Sequence, residues 1–439
     1  MNILKNIERY FLILALLLLV LGLLFGVLSA QVYLFPNFLK TEIGFQSLRP
    51  LHVSSVMFWI LIGASGAIYS CFKSMGIVYY SKQLASLQLL FWMIAIAGIF
   101  YCYKYKSFGG REYWEFNPIW ALPIAGAWVI FIVNFFKVVK HIKTWPVYVW
   151  MWMTGILVFM FTFIENYLWV FPYFRSHFIT DMTIQWKVNG SLVGAWNQLL
   201  YGASFYLMEK ISNNSKVAHS KLAFTMFFIG LTNLMFNWSH HIYSLPTAQY
   251  IRHVGYIVSM TEWIFLIKII YNWKSTVNEV QRHFHYLPYR FLMMMDVWVF
   301  INLFQAILMS IPAINIYTHG THVTVAHAMG TTIGINSMIL FAVCCEFLIP
   351  NDNFTVKKSK LFTIAFWGTQ ISLFVFWIAL NTIGIQKGIW QQSVTQIPFS
   401  KMMVSLRPYF LVFSVSGTAL MLFMIVTVFF ILKISFKKN

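Results

Sequence analysis

The stretch THGTHVTVAHAMG, residues 318–330, sets His319, His322, His327 and Met329 at the start of a strongly apolar run. Ionisable side chains inside a bilayer are costly and usually face a functional interior, so four candidate ligands at the mouth of one such run ask for a chemical reason. At ~100° per residue, His327 and Met329 point about 200° apart on a helix. One helix would thus offer them to two groups lying on its opposite sides, as a bridge between two haems would.

The surrounding sequence is that of an integral membrane protein. Of 439 residues, 59% are apolar and only 10% charged, and the mean hydropathy of +0.70 is beyond the range of soluble domains. Runs long enough to cross a hydrocarbon layer of ~30 Å fall at 9–34, 51–72, 84–103, 117–137, 146–170, 184–208, 220–241, 250–272, 288–312, 319–349, 360–384 and 404–434. They predict an all-α, twelve-transmembrane-helix bundle, a single domain over residues 1–439. The first run follows Lys5, Glu8 and Arg9 and is longer than a secretory signal core, so it is read as a span. An even count puts both termini on one side, and about two thirds of the 31 Lys and Arg residues lie there. Both ends are therefore expected in the cytoplasm, with the chain in the inner membrane. The net charge of +19 is explained by this topology, which excludes nucleic-acid binding as its cause. Cys71, Cys102, Cys344 and Cys345 form no disulfide frame, and without a CxxCH motif the chain carries no covalent haem c. No internal repeat supports a transporter built of matched halves.

Assigning sides to the spans gathers the histidines. His52 opens the second span, His240 and His241 close the seventh, and His319, His322 and His327 open the tenth. All sit at one depth near the outer, periplasmic face, and imidazole is a common ligand of haem and of non-haem iron, copper or zinc. His141, His177, His219, His253, His283 and His285 read instead as helix-end groups near the headgroups. No polar ladder is expected to climb from the cytoplasmic side.

The segments WSHHIYSLPTAQYIRHVGYIVSMTEW (238–263), IYTHGTHVTVAHAMG (316–330), LRPLH (48–52) and GREYWEFNP (110–118) resemble, in order and over nearly the whole chain, the catalytic cytochrome b subunit of bacterial nitric oxide reductases, within the haem–copper oxidase superfamily. The resemblance implies that His52 is an axial ligand of a low-spin haem b and His327 the proximal ligand of a high-spin haem b. It gives His240 and His241 to a non-haem metal, Glu262 to proton delivery at the buried site, and Arg49 to a haem propionate. Glu112, beside Arg111, and Gly63, through its carbonyl, correspond to a calcium site between the propionates.

Four positions depart from that pattern. In WKVNGSLVGAWNQLLYG (186–202), Asn189 stands where the family has a metal-binding histidine, Val193 where it has a glutamate, and Asn197 at a second acid. An amide is a poorer ligand than imidazole for transition metals. Met329 replaces the second axial histidine of the low-spin haem, and His/Met ligation raises the reduction potential; His322 is the fallback ligand. The expected cofactors are two haem b, non-haem iron or copper held by His240, His241 and Asn189, and calcium. The resemblance implies reduction of two NO to N2O with electrons from a cytochrome c-type subunit or another donor. The altered metal site also leaves open dismutation of NO to N2 and O2, or a non-catalytic haem subunit that transfers electrons or senses NO.

Overall fold

The computed structural model describes residues 6–77, 80–259, 263–350 and 359–437, nearly all of them helical. Helices suit these runs because lipid offers backbone groups no partners, so each must be satisfied within its own segment. The long helices are α1 (Ile7–Gln31), α2 (Phe45–Ser74), α3 (Lys82–Lys104), α4 (Ala121–Val139), α5 (Val147–Glu165), α6 (Phe178–Ser212) and α7 (Lys221–Phe236). After these come α8 (Gln249–Ser259), α9 (Trp263–Thr276), α10 (Tyr286–Ser310), α11 (His322–Met329), α12 (Met338–Leu348), α13 (Lys360–Gln392) and α14 (Arg407–Lys437). Local chemistry fixes several ends. The Ser81 and Ser359 side chains accept from the backbone N–H groups of Leu84 and Phe362 at the starts of α3 and α13, while Asn213 in the left-handed region (φ 47°) stops α6.

Ten helical segments among the described residues are long and apolar enough to cross a membrane, against twelve expected. The other two expected spans fall on α6 and on the pair α8 and α9. Helix α6 has the length, at 35 residues, but Gln185, Lys187, Asn189, Asn197 and Gln198 dilute its apolar character. Helices α8 and α9 flank residues 260–262, where Glu262 lies outside the described residues.

Between α3 and α4 the chain forms an antiparallel hairpin, β1 (Phe108–Arg111) and β2 (Trp114–Phe116). Tyr113 has a positive φ of 71°, and a Cβ on Gly110 would lie 1.7 Å from the Trp114 carbonyl oxygen. The turn therefore demands glycine there, and it holds Glu112 and Glu115 on either side.

Helices α1 and α2 pack through small residues, the usual device for close approach in membranes. A Cβ on Gly26 would meet His52 Nδ1 at 2.7 Å, and one on Gly22 would meet Val56 at 2.8 Å. Helix α2 also runs beside the tenth predicted span, which comprises α11, a π-helix over Gly330–Ser337, and α12. Trp59 Nε1 donates to Ser337 Oγ at 2.9 Å, and a Cβ on Gly63 would touch Leu340 at 3.0 Å. Trp59 and Gly63 lie seven and eleven residues beyond His52, and Ser337 and Leu340 eight and eleven beyond Met329. The two helices run in one direction in near-equal register, which brings His52 and Met329 to one level.

Candidate functional site

The ligand layer is built at the end of the bundle opposite the termini. His52 sits two turns into α2, and its Nδ1 lies 2.7 Å from the Gly22 carbonyl of α1. Donation from Nδ1–H to that oxygen fixes the tautomer and leaves Nε2 as the coordinating nitrogen, the arrangement that orients a metal-bound imidazole.

Thr321 starts α11 by accepting from the Val323 N–H at 3.2 Å. Because residues 322–329 are regular α-helix, the angle of about 200° between His327 and Met329 holds in the fold. His327 Nδ1 is buried with no hydrogen-bond partner among the described residues. Met329 is half-buried where the two hydrophobic clusters of the bundle meet. His322 stands one turn nearer the surface, its ring 5.5 Å from Tyr33 and 5.6 Å from Phe410.

His240 and His241 lie in the 3-10 turn Asn237–Ile242 that ends α7. That turn lets adjacent residues face the same space, and their ring centroids are 4.2 Å apart. His241 lies within electrostatic range of His240, His319 and His327, so the pair and the α11 histidine share one region. Trp186 walls it, with its ring 4.6 Å from His319 and 6.3 Å from His241. A Cβ on Gly190 would press on Trp238 at 2.9 Å and His241 at 3.3 Å, so glycine lets α6 approach the histidine turn.

Asn189 and Gly63, both expected as ligands, have well-defined surroundings. Asn189, expected on a second metal with His240 and His241, is held by two neighbouring side chains. Its Oδ1 accepts from Gln185 Nε2 at 3.3 Å, and its Nδ2 donates to Glu112 Oε2 at 3.4 Å. No group of three or more His, Cys, Asp or Glu side chains is placed to hold a metal among the described residues. Gly63, expected beside Glu112, is instead buried in mid-helix against Leu340 and Ala15. It stands fourteen residues, ~21 Å of helix, beyond Arg49, the residue that does touch Glu112.

Arg49 clasps the hairpin, with one guanidinium nitrogen 2.9 Å from Glu112 and the other 2.9 Å from Glu115. Burial pushes the Glu115 carboxyl above its ordinary value, opposed by the Arg49 charge. Arg111 meets Asp181 at 2.7 Å and Lys187 meets Glu165 at 2.5 Å, so ion pairs tie the hairpin to α6 and α6 to α5.

His52 with Met329, and His327, are the residues that would hold two haem irons. For a second metal the described residues offer the imidazoles of His240 and His241, with no group of three or more His, Cys, Asp or Glu side chains among them. Sequence reasoning also missed a cluster at the opposite end. His285, expected at the headgroups, is buried with its Nδ1 2.8 Å from Glu346 Oε2; two polar residues sixty-one positions apart leave no periodic signal of such a contact.

Comparison with known proteins agrees with this arrangement. The family described as cytochrome c and quinol oxidase polypeptide I matches residues 6–419. Cytochrome c oxidase subunit 1 of Rhodobacter capsulatus is 24% identical over 404 residues, 85% of this chain and 74% of the relative. A nitric oxide reductase subunit of Stutzerimonas stutzeri is 22% identical over 424 residues, 89% of this chain and 85% of the relative. In fold, the chain is similar to a solved haem–copper terminal oxidase dimer, with a TM-score of 0.72 at 14% identity, covering 99% of this chain and 84% of that one. A bundle that carries histidines from α2, α7 and α11 to one depth, matched along nearly its full length, belongs to the cytochrome c and quinol oxidase polypeptide I family of haem–copper membrane oxidoreductases.

Proposed function

We propose that this chain is a divergent nitric oxide reductase-like catalytic subunit, turning two NO into N2O with electrons from a cytochrome c-type partner. The observation that carries this reading is the joint placement of His52, Met329, His327 and the His240–His241 pair at one level. The resemblance of the GREYWEFNP hairpin held by Arg49 is what points to NO, and the match to the Stutzerimonas stutzeri nitric oxide reductase subunit, one of several relatives that also include cytochrome c oxidase subunits, is compatible with it.

When bound, the haems supply electron transfer and a site for NO. This chain's own residues do the rest. The Gly22 carbonyl holds the His52 ring in one tautomer, and Met329, from the tenth span, would with His52 hold the electron-receiving haem and raise its potential. His327 faces the other side, toward the His240–His241 pair. Trp186, Tyr33 and Phe410 line the approach with aromatic surface that excludes water. Arg49 offers positive charge for propionates while Glu112 and Glu115 balance it, and Glu112 remains the candidate calcium ligand. Glu262, outside the described residues, is the carboxylate assigned to local proton delivery. In this reading the membrane is the inner one, the termini are cytoplasmic, and the site lies near the periplasmic side.

The engagement of Asn189 by Glu112 favours a second reading, in which a weakly held or missing second metal redirects the chemistry to dismutation of NO or leaves a non-catalytic haem subunit. Purified protein given NO without oxygen, with and without reductant, separates these. N2O formed only with reductant supports the reductase. O2 formed from NO without reductant supports dismutation, and two haems with no further metal and no turnover support the non-catalytic subunit. Consumption of O2 with no action on NO overturns all three.

A further inference from the structure

Within α10 lies a buried carboxylate that the Lys274 charge reaches. Asp296 is the eleventh residue of this span, 3% exposed, and its Oδ2 is buried without a hydrogen-bond partner among the described residues. A buried ionisable group at such depth is expensive, and a polar atom without a protein partner in a polar interior is usually met by ordered water.

The same face of α10 leads down to the end that carries the termini. Tyr289 precedes Asp296 by seven residues and His285 by eleven, separations that return to within ~20° of the same direction on a helix. Tyr289 lies close enough to feel the Asp296 charge. His285 meets Glu346 at 2.8 Å, and the other Glu346 oxygen lies 3.2 Å from Lys210 Nζ. Lys210 also donates to Ser74 Oγ at 2.6 Å. The Lys210 side chain is 30% exposed and that of Glu346 1%, so the cluster runs from water into the protein.

Above Asp296 the polar line resumes toward the ligand layer. Asn302, six residues on, donates from Nδ2 to Thr331 Oγ1 at 2.7 Å, and Thr331 Oγ1 donates to the His327 carbonyl at 3.2 Å. Asn302 Oδ1 and both polar atoms of the side chain of Asn336, a fully buried residue, have no partner among the described residues.

We propose that Asp296 is a proton-relay residue, supplied from the side of the termini through Glu346, His285 and Tyr289 and discharging to water on the Asn302 side. In each cycle the Asp296 carboxylic acid gives its proton to that water and is reprotonated from the His285 end, so no net charge stays on the relay. The inference rests on the reading that chemistry at the histidine layer consumes protons, and it reverses the expectation that no polar path rises from this side.

The test uses wild-type protein, Asp296→Asn, Asp296→Glu and Tyr289→Phe, with haem content measured first. Turnover in proteoliposomes is read together with the side from which protons are taken. The infrared difference spectrum on haem reduction reports carboxyl protonation without any need for NO turnover. Expected are full haem content, loss of the carboxyl band in Asp296→Asn, turnover lowered about tenfold or more at unchanged KM, and recovery in Asp296→Glu. Tyr289→Phe should slow proton uptake on haem reduction while keeping the band. The proposal is overturned if Asp296→Asn keeps the band, or if wild-type proton uptake comes solely from the far side. A chain inactive toward NO but showing the band would refute the functional reading and leave the relay standing.

Discussion

Asn189 donates its amide to Glu112 across 3.4 Å, and this contact joins the helix that faces His241 to the hairpin clasped by Arg49. The residue at the family's metal-ligand position therefore serves the wall of the site.

Asn189→His should restore a third imidazole and release Glu112. Metal analysis of purified protein is expected to show non-haem iron or copper rising toward one per chain, above the wild-type level. Equal metal content in the two proteins would mean that position 189 does not govern the second metal.

Met329→His should lower the midpoint potential of the low-spin haem, because imidazole stabilises the oxidised iron relative to a thioether. Potentiometric titration followed in the visible spectrum reads this directly, and an unshifted potential would remove Met329 from the coordination sphere. His327→Ala should abolish the high-spin signal while keeping the low-spin one.

The Arg49 clasp gives a prediction with a sign. Glu115 has its carboxyl raised by burial, and the Arg49 charge works against that rise. A carboxyl raised in the folded state binds its proton more tightly there than when unfolded, so stability falls as pH climbs from the ordinary value of 4.5 through the raised one. Arg49→Met removes the opposing charge and extends that loss to higher pH. The variant should therefore lose more heat stability, read as haem retention, at neutral pH than under mildly acidic conditions. Glu112→Gln should cost only ~0–1 kcal/mol, since that pair is well exposed. Equal loss in Arg49→Met at both pH values would show that the clasp is not electrostatic.

Packing at the mouth of the site should be unforgiving. A Cβ on Gly388 of α13 would lie 1.8 Å from the Tyr317 carbonyl oxygen, and one on Gly384 would lie 2.3 Å from the Val323 nitrogen. Overpacking of this kind typically costs ~1–3 kcal/mol, and here it meets backbone that cannot rotate away. Gly388→Ala should reduce haem content and melting temperature together. Gly126→Ala, whose added methyl would touch only Phe91 at 3.5 Å, should leave both unchanged.

The membrane class, the histidine layer and the opposed faces of His327 and Met329 were legible because they follow from local rules: long apolar runs, helix direction, and a fixed angle per residue. The contacts of Asn189, Arg49 and Gly63 were not, because they depend on how far neighbouring helices slide past one another. Only Trp59 meeting Ser337, and Gly63 meeting Leu340, reveal that register. The His285–Glu346 pair was hidden for the same reason, since a polar residue at the end of a span looks alike whether it faces headgroups or another helix. Helix α6, expected as a span at 184–208, has an apolar signal eroded by the polar residues it carries.

The π-helix over Gly330–Ser337 separates two tasks along one span. Its wider turn, marked by Ser337 Oγ donating to the carbonyl five residues back at Thr332, resets the angular phase between Met329 and the packing residues from Met338 onward. Ligand orientation can therefore drift through evolution without dislodging the interlock with Trp59, and that interlock can be remodelled without turning His327. A single-residue deletion inside the wide turn would couple the two again, and would twist His327 and Met329 out of alignment with the helix beyond while the sequence of both segments stayed intact.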